Sequence, residues 1–79
     1  MRMKQTRDLL VRLFSVSELR DLCLAMGVTP DDFPQALSAF ARELVLHIDR
    51  LDLWATFARA AKEARPRADW SYLDARPAK

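Results

Sequence analysis

Two side chains in this 79-residue sequence have the reactivity that nucleophilic or metal chemistry needs, and each occurs once: Cys23 and His47. A thiol nucleophile requires a base within hydrogen-bond reach and a third group to orient that base. Cys23 instead shares an apolar stripe with Leu19, Leu22 and Met26, where a free cysteine serves as a small buried hydrophobe. His47 sits at the edge of a different stripe and reads as a rim residue. A metal centre takes three or four ligands at recognisable spacing, which one cysteine and one histidine do not supply. Asp31 and Asp32 are adjacent, so on a helix they diverge by about 100°. Their place at a helix start, where negative charge is favoured, accounts for both. No catalytic residue, cofactor, metal or small-molecule substrate is expected, and the chain is not read as an enzyme.

With 51% hydrophobic and 30% charged residues and a single glycine, the sequence is too apolar and too charge-balanced for a disordered chain. One domain over residues 1–79 is expected, with residues 74–79 as a frayed tail. A chain this short buries only about 60% of its unfolded surface, so every helix must serve one core. The lone cysteine makes no internal disulfide, which suits a reducing compartment. No apolar run approaches the roughly 20 residues that cross a bilayer. "MRMKQTRDLL" has basic residues without the apolar centre of a signal peptide. The expected setting is cytoplasmic, with no membrane partner.

The net charge of +2 conceals a segregation. Residues 1–14 hold four cations against Asp8; residues 15–52 hold three against seven carboxylates; residues 53–79 hold six against three. Both ends are basic and the middle is acidic.

The elements that must position these charges are helical. Leu9, Leu10, Leu13 and Phe14 mark a first helix that starts near Met3 to Thr6 and ends at Phe14. Ser15 and Glu18 have capping-box spacing, with Phe14 and Leu19 placed as a hydrophobic staple. The second helix buries Leu19, Leu22, Cys23 and Met26 and ends at Gly27, where a left-handed residue is needed. Thr29 as cap and Pro30 at the first position open a third helix that Pro34 limits to about one turn. Leu37, Phe40, Ala41, Leu44, Val45 and Ile48 define the fourth at 3.6-residue spacing. The fifth begins with Asp52 as cap, buries Trp54, Phe57, Ala58, Ala61 and Ala64, and stops at Pro66. Trp70, Tyr72 and Leu73 suggest a last short helix or packed tail. The fold class is all-α, a compact antiparallel bundle of five to six short helices.

On these helices Lys4, Asp8 and Arg12 face outward from the first, Arg20, Asp21 and Leu24 from the second. Arg42, Glu43, Leu46 and Arg50 face outward from the fourth, and Thr56, Arg59 and Glu63 from the fifth. Val11, Leu24 and Leu46 are apolar residues on wet faces. A helix-turn-helix rhythm in "ELRDLCLAMGVTPDDF" raises DNA binding as an alternative. The would-be recognition helix, however, opens on two carboxylates and carries no side chain to read a base edge. Protein binding remains, through an acidic patch (Glu18, Asp21, Asp31, Asp32) and a basic patch (Lys4, Arg7, Arg12, Arg59, Lys62), with Arg20 and Leu24 beside the former. Unlike patches on one body allow copies to meet head to tail, closing into rings or running on as filaments. A monomeric or dimeric partner-binding bundle, of antitoxin or inhibitor type, is the other alternative.

"LVRLFSVSELRDLCLAMGVTPDDFP", "ARELVLHIDR" and "ARPRADW" together resemble bacterial death-like or effector-associated domains, which are similar to the animal death-fold superfamily. The resemblance runs from about Leu9 to Trp70, and its most specific pieces are "FSVSELRDLC", Gly27 with its aspartates, Phe33-Pro34, "ARELV", and Arg65-Pro66 with Trp70. It implies a six-helix death-like fold that binds its own kind. Its implied role is a non-enzymatic adaptor that recruits or clusters effectors in a bacterial defence or cell-death-like pathway. Two departures stand out. "IDRLDLW" lacks the glycine usual at the corner after the fourth helix, so that corner is built differently. "PQALSAFA" lacks a glycine and lysine, which lengthens the fourth helix toward its start.

Overall fold

The computed structural model describes residues 2–73. In order they form α1 (Arg2–Leu13), α2 (Val16–Ala25), a 3₁₀ turn (Pro30–Asp32), α3 (Leu37–Arg50), α4 (Trp54–Ala64) and a second 3₁₀ turn (Ser71–Leu73). Among the described residues there is no strand, and no helix is long and apolar enough to cross a membrane. Of the five to six helices expected, four reach α-helical length and the third and last are single 3₁₀ turns. Pro34 explains the first of these. The residue before a proline is pushed out of the helical region, and Phe33 is extended at φ −112°, ψ 153°. The expected frayed tail, 74–79, lies outside the described residues.

The start of α2 follows its sequence signals. Ser15 Oγ accepts from the Glu18 amide at 3.2 Å, and Glu18 Oε1 accepts from the Ser15 amide at 2.9 Å. Phe14 and Leu19, the staple pair, are both buried. At the other end Gly27 adopts φ +76°. The Val28 amide donates to the Cys23 carbonyl and the Gly27 amide to Leu24, the paired bonds of a Schellman motif.

Other boundaries differ from expectation. α1 begins at Arg2 and ends at Leu13. Thr29 precedes the first 3₁₀ turn without a side-chain cap bond. α3 begins at Leu37 after Ala36, again without one. Asp52 is not the cap of α4: that place belongs to Leu53, while Asp52 holds a left-handed φ of +53°. Ala60, not Ala58 or Ala64, joins Trp54, Phe57 and Ala61 in the core; Ala58 is half-buried and Ala64 exposed.

One core cluster runs through all four helices and takes in Phe33 and Trp70 from the irregular segments. Phe40 and Phe57 are fully buried, each worth roughly 1.5–3 kcal/mol in removed apolar area. α1 lies along α3, and α2 packs on both α3 and α4. The Cα radius of gyration, 11.7 Å, agrees with the roughly 12 Å of a compact chain of this length.

Candidate functional site

Cys23 is completely buried, and desolvation pushes its thiol up to about 11, so it is not a thiolate at neutral pH. His47 stands at the half-buried edge of α3 with its ring against Phe33, centroids 5.4 Å apart and planes perpendicular. Among the described residues no three His, Cys, Asp or Glu side chains gather in a metal-holding group.

The structure sorts the charged residues by helix pair. Between α1 and α3 runs a groove lined by Arg7, Asp8, Val11, Arg12, Ser38, Ala39 and Arg42. It is continued by a concavity of Met3, Lys4, Arg7, Arg42, Val45 and Leu46. Four cations here face one carboxylate. Arg7 and Arg42 pair with their chain neighbours Asp8 and Glu43, at 3.7 and 3.5 Å, and their side chains remain 42% and 62% exposed. Exposed pairs of this kind contribute little, which leaves the guanidiniums available. Exposed Val11 and Leu46 give the cationic groove an apolar element.

Between α2 and α4 lies a second groove, lined by Phe14, Glu18, Asp21, Leu22, Ala25, Ala60, Glu63, Ala64 and Arg65. Three carboxylates face one guanidinium. Glu18 is held below the usual carboxylate range, first by the Ser15 amide and then by Arg65.

Of the residues expected to bind protein, Lys4, Arg7 and Arg12 are thus brought together and joined by Arg42. Glu18 and Asp21 are brought together and joined by Glu63. The remaining acidic residues belong elsewhere. Asp31 is taken by Arg20 at 2.8 Å, whose other terminal nitrogen donates to Gln35 at 2.7 Å. Asp32 is exposed on the same 3₁₀ turn. Arg59 and Lys62 are exposed on α4 and line neither groove. Leu24 is 65% exposed on α2.

Arg65 is the site residue that charge counting missed. Its Nε donates to the Leu13 carbonyl at 3.2 Å, its Nη1 to Ala64 at 2.9 Å and its Nη2 to Glu18 Oε2. The guanidinium also lies 4.8 Å from the centre of the Phe14 ring, in range for a cation–π contact. One side chain therefore joins the end of α1, the start of α2 and the end of α4. Its place beside Pro66 at the helix stop was the available signal.

The sequence matches the family described as Effector-associated domain 7 over residues 6–66. The chain belongs to this family. No curated protein and no solved structure matches it. The matched segment of this effector-associated domain contains both grooves apart from Met3 and Lys4.

Proposed function

We propose that this effector-associated domain is a non-enzymatic, homotypic interaction module of the death-like fold. It acts in the bacterial cytoplasm, recruiting or clustering effectors in a defence or cell-death-like pathway. Its partners are further copies or related death-like domains. The observation that supports this reading is the unlike charge of the two grooves, cationic between α1 and α3 and anionic between α2 and α4. Two different, complementary surfaces on one body make a heterologous contact, which propagates into a ring or an open filament. Complementary charge sets register and encounter rate.

Capping variants test it. Arg12→Glu inactivates one groove and Asp21→Ala weakens the other without reversing its charge, so neither variant assembles alone as the wild type does by concentration-dependent light scattering. Mixed, they retain one compatible pair of grooves and form a 1:1 complex that grows no further. Wild-type assembly weakens toward about 1 M salt, where the screening length is about 3 Å. Assembly of either variant alone, to the wild-type extent, would overturn the reading.

A further inference from the structure

The family match stops at residue 66, yet the segment beyond it completes the core. Trp70 is buried against Phe14 and Phe57, with ring centroids 6.5 and 5.9 Å away. Its indole N–H donates to the Arg65 carbonyl at 2.9 Å. Tyr72 then reaches α1, where its hydroxyl lies 2.7 Å from Thr6 Oγ1. Thr6, itself fully buried, donates its own proton to the Arg2 carbonyl at 2.7 Å. A hydroxyl has one proton to give, so Tyr72 is the donor. Asp69 orders the segment locally by accepting from both the amide and the hydroxyl of Ser71.

The attachment to α1 is made by side chains. Among the described residues, the segment's backbone hydrogen bonds run from Ala68 to Arg65 and from Leu73 to Trp70. Arg65 is consequently gripped twice. Its carbonyl takes the Trp70 indole and the Ala68 amide, and its guanidinium takes Leu13, Ala64 and Glu18.

We propose that residues 66–73 are a releasable strap that sets the charge of the α2–α4 groove through Arg65. Closed, the strap holds the end of α4 so that Arg65 masks Glu18. Open, the last turn of α4 frays, Arg65 leaves, and Glu18 turns to the cationic groove of a partner. This is regulation of the surface proposed above and rests on that reading. The masked pair is an autoinhibitory contact, and a partner that engages Glu18 only in the open form shifts the population by its preference for that form.

Two full-chain variants test the strap, followed by Glu18 carboxyl titration in NMR and by far-ultraviolet circular dichroism. Tyr72→Phe removes the donor to Thr6; Trp70→Leu stays apolar but gives up the ring contacts and removes the donor to Arg65. In Tyr72→Phe the Trp70 indole N–H exchanges roughly fivefold faster, the factor expected for one net hydrogen bond. In both variants Glu18 titrates nearer to an ordinary carboxylate while helicity is retained. A Glu18 titration unmoved in both overturns the strap's control of Arg65, and if Trp70→Leu fails to fold, Tyr72→Phe decides alone. Both variants also assemble at lower concentration than the wild type. Glu18→Gln, which keeps the cap because glutamine serves in a capping box, abolishes that gain. A shifted titration with assembly unchanged from the wild type would overturn the strap's control of assembly through Glu18. A shifted titration with no assembly of any chain, wild type included, would support the strap's hold on Arg65 and overturn the homotypic reading.

Discussion

After α2 the chain turns at Gly27, with φ +76°, and after α3 it turns at Asp52, with φ +53°. Both corners carry the same paired bonds: Val28 to Cys23 and Gly27 to Leu24 in the first, Leu53 to Ile48 and Asp52 to Asp49 in the second. Both place a fully buried residue, Cys23 or Ile48, at the carbonyl that receives the shorter bond, 2.8 Å in each case. The backbone task is identical and the residues are not. Glycine takes the left-handed conformation without strain, whereas aspartate takes it at a cost that its short polar side chain only reduces. The first corner is therefore specified locally. The second is imposed by the packing of α3 and α4, whose buried faces must meet whatever residue lies between them.

The largest difference between the corners appears in alkali. The Cys23 thiol is pushed up to about 11 by burial, while Ile48 has nothing to ionise. In the unfolded chain the thiol loses its proton first, so the folded state binds more protons as pH rises and stability falls. The contribution is intact below the unfolded thiol's ordinary range and is lost as pH climbs through about 11. The full loss is about 3 kcal/mol. Tyr72, also raised by burial, works in the same direction. Urea midpoints measured from neutral pH to beyond 11 should fall steeply in the wild type and less in Cys23→Val, leaving the slope due to Tyr72. Equal slopes would remove the thiol as the cause.

A smaller effect comes from Gly27→Ala. A Cβ built at Gly27 meets nothing within 4 Å, so the penalty is conformational and involves no clash. Left-handed strain, partly offset by the lower entropy of the unfolded alanine chain, leaves a net loss of about 1 kcal/mol. A chemical melt reads this directly. A much larger loss would mean that the corner tolerates no backbone adjustment.

This contrast explains what could be read in the sequence. Ser15, Glu18 and Gly27 act on backbone groups within three to five residues, so spacing alone revealed the start and stop of α2. Asp52 was misread because an aspartate before an apolar run looks the same as a cap and as a left-handed residue until the chain direction is known. A buried Thr6 is not legible from spacing, because the hydroxyl it meets, that of Tyr72, is 66 positions away. The acidic patch was legible as composition but not as a surface. Asp31 was counted with Asp21, yet Arg20 claims Asp31 and α4 supplies Glu63 to Asp21's groove. Likewise Arg42, the fourth cation of the α1–α3 groove, was placed outward but not beside Arg7 and Arg12. Helix faces follow from periodicity; which faces meet follows only from packing.

The smallest effect sharpens the comparison most. Asp52→Gly gives the second corner the residue of the first. Of the two aspartates there, Asp49 has a partner, accepting from the Trp54 indole N–H at 3.2 Å. Asp52 is exposed and contributes through its backbone conformation. Glycine removes the residual left-handed strain and adds unfolded-chain entropy, and the two nearly cancel, leaving a gain of about 0.5 kcal/mol. For a domain of this size that is about 2–4 °C in Tm, measurable by calorimetry. Gly27→Asp should lose about as much as Asp52→Gly gains, because neither position crowds a side chain and the two turns share one hydrogen-bond pattern. A loss of stability in Asp52→Gly would mean that the aspartate side chain holds the α3–α4 corner itself, and the two corners would then differ in mechanism as well as in residue.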